Sequence, residues 1–313
     1  MIRRLAARLR SGDEIAHLVA LIFGLTLALL TIVIAFELFA NSSLARARFG
    51  WGFFTGQTWD PVADEYGAAP FVYGTLLTSA IALVIAVPLG VGAALFLSEL
   101  APRRVSDVLT LLVELLAAVP SVVYGLIGIS VLVPFMREFV QPALQRVGGW
   151  LPFFSGPAYG VGFLTAGLVL AIMIVPFVVS VLREVLLAVP RDQREAALAL
   201  GATRWESTWR VVLPYARLGV FGAVFLALGR ALGETMAVTM VIGNRPQISA
   251  SVFAPGYSMA AVIANEFTEA TGNLYLQALV EVGLVLFLLT MIINALARVL
   301  IVLTTRRGAG AAA

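Results

Sequence analysis

The chain has 313 residues, of which 60% are hydrophobic and 12% charged, and its mean hydropathy is +0.97. Soluble domains carry about a quarter charged residues and just under half apolar ones, so this composition excludes a soluble globular protein and points to membrane spans. The absence of cysteine, the single histidine (His17) and the net charge of +3 exclude disulfides, thiolate chemistry, multi-histidine metal sites and a nucleic-acid-binding surface.

A helix needs roughly 20 apolar residues to cross a hydrocarbon core of about 30 Å. In chain order, such stretches run over His17–Ala40, Phe71–Leu97, Val108–Met136, Ala158–Val181, Leu218–Ile242 and Leu276–Leu303. The first is too long for a signal peptide and lacks a small-residue cleavage site, so it reads as a retained span. The predicted fold is therefore an all-α integral membrane protein with six transmembrane helices.

All 21 basic residues are arginine. With the N-terminus inside, fourteen arginines fall on the cytoplasmic side or tail and five outside, a bias that predicts cytoplasmic ends for both termini. The expected organisation is a cytoplasmic segment 1–16, a first span 17–40 and an external loop 41–70. A core of five spans follows over 71–305, with a cytoplasmic loop 182–217 and an external loop 243–275. The tail 306–313 is expected to be disordered. The stretch 137–157 is rich in Pro and Gly and reads as an external loop. No Gly-x-x-x-x-Gly-Lys phosphate loop is present, so any ATP hydrolysis belongs to another chain.

The cytoplasmic loop carries the most specific pattern. It reads Glu195-Ala196-Ala197, three residues, Gly201, nine residues, then Val211-Val212-Leu213-Pro214. Residues 191–200 can form a short helix with small residues on it, and Gly201 can take the left-handed turn that ends it. Residues 203–212 suit a second short helix, with Pro214 at its boundary. Such a helix–Gly–helix knob fits a groove on a partner protein, or rests as an amphipathic elbow on the headgroups.

The fifth span holds Arg230 near the bilayer midplane, about 18 Å from either end at 1.5 Å per residue. Glu234 lies four residues on, so in a continuous helix the two share a face and can pair. One reading is a structural ion pair that locks helices together. The other is an anion pathway, in which the guanidinium fork meets an oxyanion and Glu234 orients it. In the third span Pro120 precedes Ser121 and Tyr124. A proline kink is expected, and the alternative is a broken helix whose new N-terminus favours anions. Thr75 is either polar lining of the path or a donor in interhelical packing. The candidate substrate pathway comprises Arg230, Glu234, Thr75 and Ser121.

The loop Glu195-Ala196-Ala197…Gly201…Leu213-Pro214 resembles the signature loop of binding-protein-dependent ABC importer permeases, with Val211 where the pattern usually has Ile. That resemblance implies a type I importer permease architecture and assigns ATPase coupling to Glu195, Ala196, Ala197, Gly201, Leu213 and Pro214. The phrase Arg230-Ala-Leu-Gly-Glu234-Thr-Met-Ala-Val is similar to that of phosphate-specific permeases of the PstC type. So are Trp59-Asp60-Pro61, Tyr73-Gly74-Thr75-Leu76, Val119-Pro120-Ser121-Val122-Val123-Tyr124-Gly125 and Ala264-Asn265-Glu266-Phe267. The likeness implies a plasma (inner) membrane transporter subunit for inorganic phosphate with no covalent chemistry and no cofactor. It implies as partners a second permease (PstA type), two ATPase subunits (PstB type) and a phosphate-binding protein (PstS type). The alternatives are a permease for another oxyanion (sulfate, molybdate or phosphonate) and an autonomous anion carrier.

Overall fold

A computed structural model of the chain describes residues 13–310, with side chains over 16–303. The described residues are almost wholly helical. Helix α1 spans Asp13–Ala40. The interfacial pieces α2 (Ser43–Phe49) and α3 (Gly52–Thr55) follow it. A hairpin then pairs β1 (Trp59–Asp60) antiparallel with β2 (Glu65–Tyr66). Next come α4 (Ala69–Leu100, ending in a π-turn over Phe96–Leu100), α5 (Arg103–Ala117) and α6 (Ser121–Gly148). The remainder are α7 (Phe163–Leu187), α8 (Arg191–Ala199), α9 (Arg204–Leu232), α10 (Met236–Ile242), α11 (Met259–Glu266) and α12 (Asn273–Gly310).

Six of these helices are long and apolar enough to cross a membrane: α1, α4, α6, α7, α9 and α12. Helix α7 is the centre, with 61% of its most apolar window buried, whereas none of that window of α1 is buried. The α4–α7 contact is close because α4 presents small side chains, Ala82, Ala86 and Ala94, all fully buried. Close backbone approach through small residues is how apolar helices associate where no hydrophobic force separates them from lipid.

Two spans differ from the sequence expectation in a way that shapes the site. The third apolar stretch is not one helix over Val108–Met136. It breaks at Pro120, and the spanning helix is α6, Ser121–Gly148. Helix α5 before it is separate, with charged residues Arg103, Arg104, Asp107 and Glu114 along it. Much of the expected loop 137–157 is therefore helix. The fifth stretch, Leu218–Ile242, is also interrupted: α9 stops at Leu232 and α10 starts at Met236. In addition, Pro214 is no boundary. Helix α9 runs through it, because a π-turn over Thr208–Val212 widens the backbone just where the ring would strike a preceding carbonyl. The expected disordered tail 306–313 is helical as far as Gly310, and 311–313 lie outside the described residues. Most of segment 1–16 lies outside them as well.

At one end of the bundle an aromatic cap joins two sequence motifs far apart in the chain. The Trp59 indole donates to Glu266 Oε2 at 2.8 Å, and the Tyr275 hydroxyl donates to the same oxygen at 2.7 Å. The Trp59 ring packs edge-on to Tyr66 and Phe71, with centroids 4.9 and 4.8 Å away. The hairpin turn is set by Asp60, whose Oδ1 accepts from the Val62 and Ala63 amides. Such an Asx turn is local and needs no partner.

Candidate functional site: a broken-helix arginine and a capped elbow

Arg230 sits half a turn before the end of α9. Among the described residues its guanidinium donates no hydrogen bond and makes no ion pair. Its Cζ lies 5.3 Å from the ring centroid of Phe177 of α7. A cation over an aromatic face gains electrostatically from the ring quadrupole, and that contact orients the side chain without neutralising it. Within this chain Arg230 is exposed.

Glu234 does not pair with Arg230 as the continuous-helix expectation required. The helix ends between them, so the four-residue spacing no longer places them on one face. Glu234 Oε1 instead accepts from the Ala237 amide at 3.2 Å, closing one of the free N–H groups at the start of α10. Its own amide donates to Ala231 O at 3.4 Å. Thr239 Oγ1 donates to Thr235 O at 2.7 Å, and Asn244 Nδ2 donates to Thr239 O at 3.0 Å. Helix α10 is thereby fixed at both ends.

Helix α6 packs closely on α10. A Cβ on Gly125 would lie 2.6 Å from Met240 Sδ and 3.2 Å from Ala237 Cα, so only glycine lets α6 approach α10 this closely. Ser121 is the first helical residue of α6, following Pro120 in extended conformation. This is a true break rather than the expected kink. Tyr124 spans it, its hydroxyl donating to Leu116 O at 2.7 Å. Arg230 is close enough for its charge to reach Tyr124, so the start of α6 and the end of α9 share one neighbourhood.

Thr75 is placed elsewhere. It is buried, its hydroxyl donates to Phe71 O at 2.8 Å and accepts from the Met259 amide at 2.9 Å. The second of these bonds joins α4 to the start of α11.

The elbow between α8 and α9 is built almost entirely from local bonds. The Ala202 amide donates to Ala197 O at 3.1 Å and the Gly201 amide to Leu198 O at 3.0 Å. Gly201 has φ +86°, so this is a Schellman stop requiring the left-handed residue that glycine supplies. Two residues on, Thr203 and Glu206 form a capping box that starts α9. Leu200 at the tip is 90% exposed. Glu195, Ala196 and Gly201 are exposed, while Ala197 is buried against the rest of the elbow. Leu213 and Pro214 lie within α9, the first half-buried and the second exposed.

What joins the elbow to the spans was not visible in the sequence. Arg194 of α8 makes a bidentate pair with Glu99 in the π-turn of α4, at 2.8 Å (Nη2–Oε1) and 3.0 Å (Nε–Oε2). The same guanidinium donates to Leu186 O at 2.7 Å and to Val189 O at the end of α7. One side chain thus clamps α8 to two spans. Arg194 had entered only the count of cytoplasmic charges, because its partner is 95 positions away and no local spacing marks it.

The spans, the interrupted helices and the capped elbow define a helical, multi-pass membrane protein of the transport-permease class. Residues 86–307 match the family of binding-protein-dependent transport system inner membrane components. The chain is similar to the phosphate transport system permease protein PstC of Mesorhizobium japonicum, at 48% identity over 95% of this chain and 92% of that protein. It is similar also to the proteins of that name from Xylella fastidiosa (46%, 89% of this chain and 90% of that one) and Haemophilus influenzae (48%, 90% of each). Among solved structures, the MetNI methionine ABC transporter in an inward-facing conformation superposes with a TM-score of 0.57. It does so at 17% identity over 78% of this chain and 98% of that chain, a likeness of fold. The chain belongs to the binding-protein-dependent inner-membrane permease family, in its PstC group.

Proposed function

We propose that the chain is the permease subunit of an ATP-driven phosphate importer, that both termini are cytoplasmic, and that Arg230 is the substrate-facing charge. The single observation that carries this is an arginine in a spanning helix with no carboxylate partner among the described residues, held beside a helix break. An arginine in a span is costly, about 2.5–3.5 kcal/mol by insertion scales, and is retained where it has work to do. Its planar fork matches a phosphate oxygen pair. Ser121 at the start of α6 completes the anion-facing side of this neighbourhood, and Glu234 fixes α10 and sets the local negative charge. The PstC relatives supply the identity of the anion.

Glu195, Ala196 and Gly201 form the surface that docks on a PstB-type ATPase, with Ala197 packing the elbow beneath it, and two copies of that ATPase serve this subunit and a PstA-type permease. Leu213 and Pro214 carry the movement into α9. A PstS-type binding protein delivers phosphate at the end that bears the aromatic cap. The Arg194–Glu99 clamp transmits displacement of the elbow to α4 and α7.

The test is uptake of radiolabelled phosphate by cells carrying the complete transporter, wild type against Arg230→Gln, with subunit levels matched. Uptake should fall at least tenfold for the variant at normal assembly. Normal uptake would remove Arg230 from the path and leave it a packing residue. Measuring sulfate and molybdate uptake in the same cells separates phosphate from the other oxyanions.

A further inference from the structure

A second buried charge lies away from the α9–α10 break. Glu281 is on α12, eight residues from its start at Asn273, or about 12 Å into the helix. It is 1% exposed, and its Oε2 atom has no hydrogen-bond partner among the described residues. Buried carboxyls are normally satisfied, and this one, short of donors among apolar helices, lines a cavity from which an N–H donor of an occupant can reach its other oxygen.

Glu281 lines a cavity of about 720 Å3 between α1, the α2–α3 elbow and α12. Arg46 of α2 lines the same cavity. Its guanidinium lies 3.5 Å over the Phe39 ring, and Nε donates to Ser42 Oγ at 3.1 Å. Nη2 donates to Phe39 O. Among the described residues Arg46 makes no ion pair, although its charge reaches Glu281. The two opposite charges therefore flank one end of the cavity without closing on each other.

The remainder of the cavity is apolar. Ile32, Leu284 and Leu288 line it, and it extends about 10 Å along α12 from Glu281 to Leu288. That length fits within one leaflet of a hydrocarbon core about 30 Å thick. Trp51, 87% exposed, stands at the charged end, as tryptophan does at the level of lipid headgroups. An occupant must therefore be elongated, apolar at one end, and zwitterionic at the other, with an anion for Arg46 and an N–H donor for Glu281.

We propose that this cavity is a site for a glycerophospholipid with a primary ammonium, such as phosphatidylethanolamine, its phosphate on Arg46, its ammonium on Glu281 and an acyl chain along Ile32, Leu284 and Leu288. Arg46, Glu281 and the apolar trough thus form a single lipid seat in the leaflet at the aromatic-cap end. Phosphatidylcholine satisfies the phosphate half only, since its quaternary ammonium carries no N–H. The seat is separate from the phosphate path and does not depend on what the transporter carries.

The experiment uses the complete transporter purified in mild detergent, with bound lipid extracted and quantified by mass spectrometry. Wild type should retain phosphatidylethanolamine through extended washing. Arg46→Gln and Glu281→Gln should each retain at least fivefold less. In nanodiscs, phosphatidylethanolamine should raise the melting temperature of wild type above its value in phosphatidylcholine, and that difference should vanish in Glu281→Gln. Leu288→Trp, which fills the apolar end and leaves both charges, provides an independent variant and should also lose the lipid. A photoreactive residue at position 36, which lines the trough, should yield a lipid adduct in membranes. Equal lipid retention by wild type and all three variants, or an adduct to another protein chain instead of lipid, would overturn the proposal.

Discussion

Two interruptions of helix lie at the two ends of α9, and they are held by different forces. At the elbow, Gly201 stops α8 through two short-range hydrogen bonds, and Thr203 and Glu206 restart the chain through a capping box. Every bond there joins residues within five positions. At the Gly233–Thr235 break the Glu234–Ala237 cap, the Glu234 amide to Ala231 O and the Thr235 hydroxyl to Gly233 O are local too, but here a second span also packs on the restarted helix, Gly125 of α6 lying against Met240 and Ala237. The first interruption is capped by short-range bonds; the second carries short-range bonds and is packed against a neighbouring span as well. A terminus fixed locally can be moved as a rigid piece, whereas a break fixed by a neighbour opens or closes as that neighbour shifts.

The comparison can be broken in a graded way. Arg194→Ala should have the largest effect on the elbow, because it strands Glu99, which is 10% exposed, and frees two carbonyls at the end of α7. Removing one member of this partly buried, bidentate pair costs about 2–3 kcal/mol, below the full figure for a buried pair. Thermal unfolding of the purified transporter should shift down, and ATP hydrolysis should continue with little uptake. Gly125→Val should act next, on the break. The added carbons meet Met240 and Ala237 directly, an overpacking cost of about 2 kcal/mol, and phosphate uptake should drop severalfold while the ATPase still co-purifies. Retention of uptake at wild-type levels would show that α6 does not hold α10 in place.

Gly201→Val is smaller. The left-handed φ of +86° penalises any branched residue by about 1–2 kcal/mol, read as weakened co-purification of the ATPase from detergent. Thr203→Ala should be the smallest. It removes one side of the capping box at a cost of about 1 kcal/mol, detectable as faster amide exchange over 204–207 with uptake preserved.

The same contrast explains what the amino-acid sequence disclosed. Six spans were legible because twenty-residue apolar runs have few other uses, and the elbow was legible because Gly201 and Thr203-x-x-Glu206 are local signals. Arg230 and Glu234 were identifiable as residues, but their pairing was not correctly inferable. The stretch Leu218–Ile242 is long enough to read as one span, and no proline marks the point after Leu232 where the helix stops. Pro120 was visible, yet kink and break differ only in whether the preceding turn is abandoned, and Tyr124 bonding to Leu116 O settles that in three dimensions. Thr75 reads equally as lining or packing, and the bond from the Met259 amide, 184 positions away, is visible only in three dimensions. Glu99 and Arg194 carried no local mark at all.

The π-turn over Thr208–Val212 has a consequence for how such chains diverge. A π-turn is a helix carrying one residue more than its axis requires, and the flanking segments keep their angular relation. Between the elbow and Arg230 the chain therefore has one position of slack. A descendant that loses a residue there reverts to regular helix and still presents Arg230 at the same azimuth. A loss anywhere else in α9 turns it by about 100°. Insertions and deletions in this stretch should thus concentrate at Thr208–Val212, where a change of length leaves the heading of the charge intact.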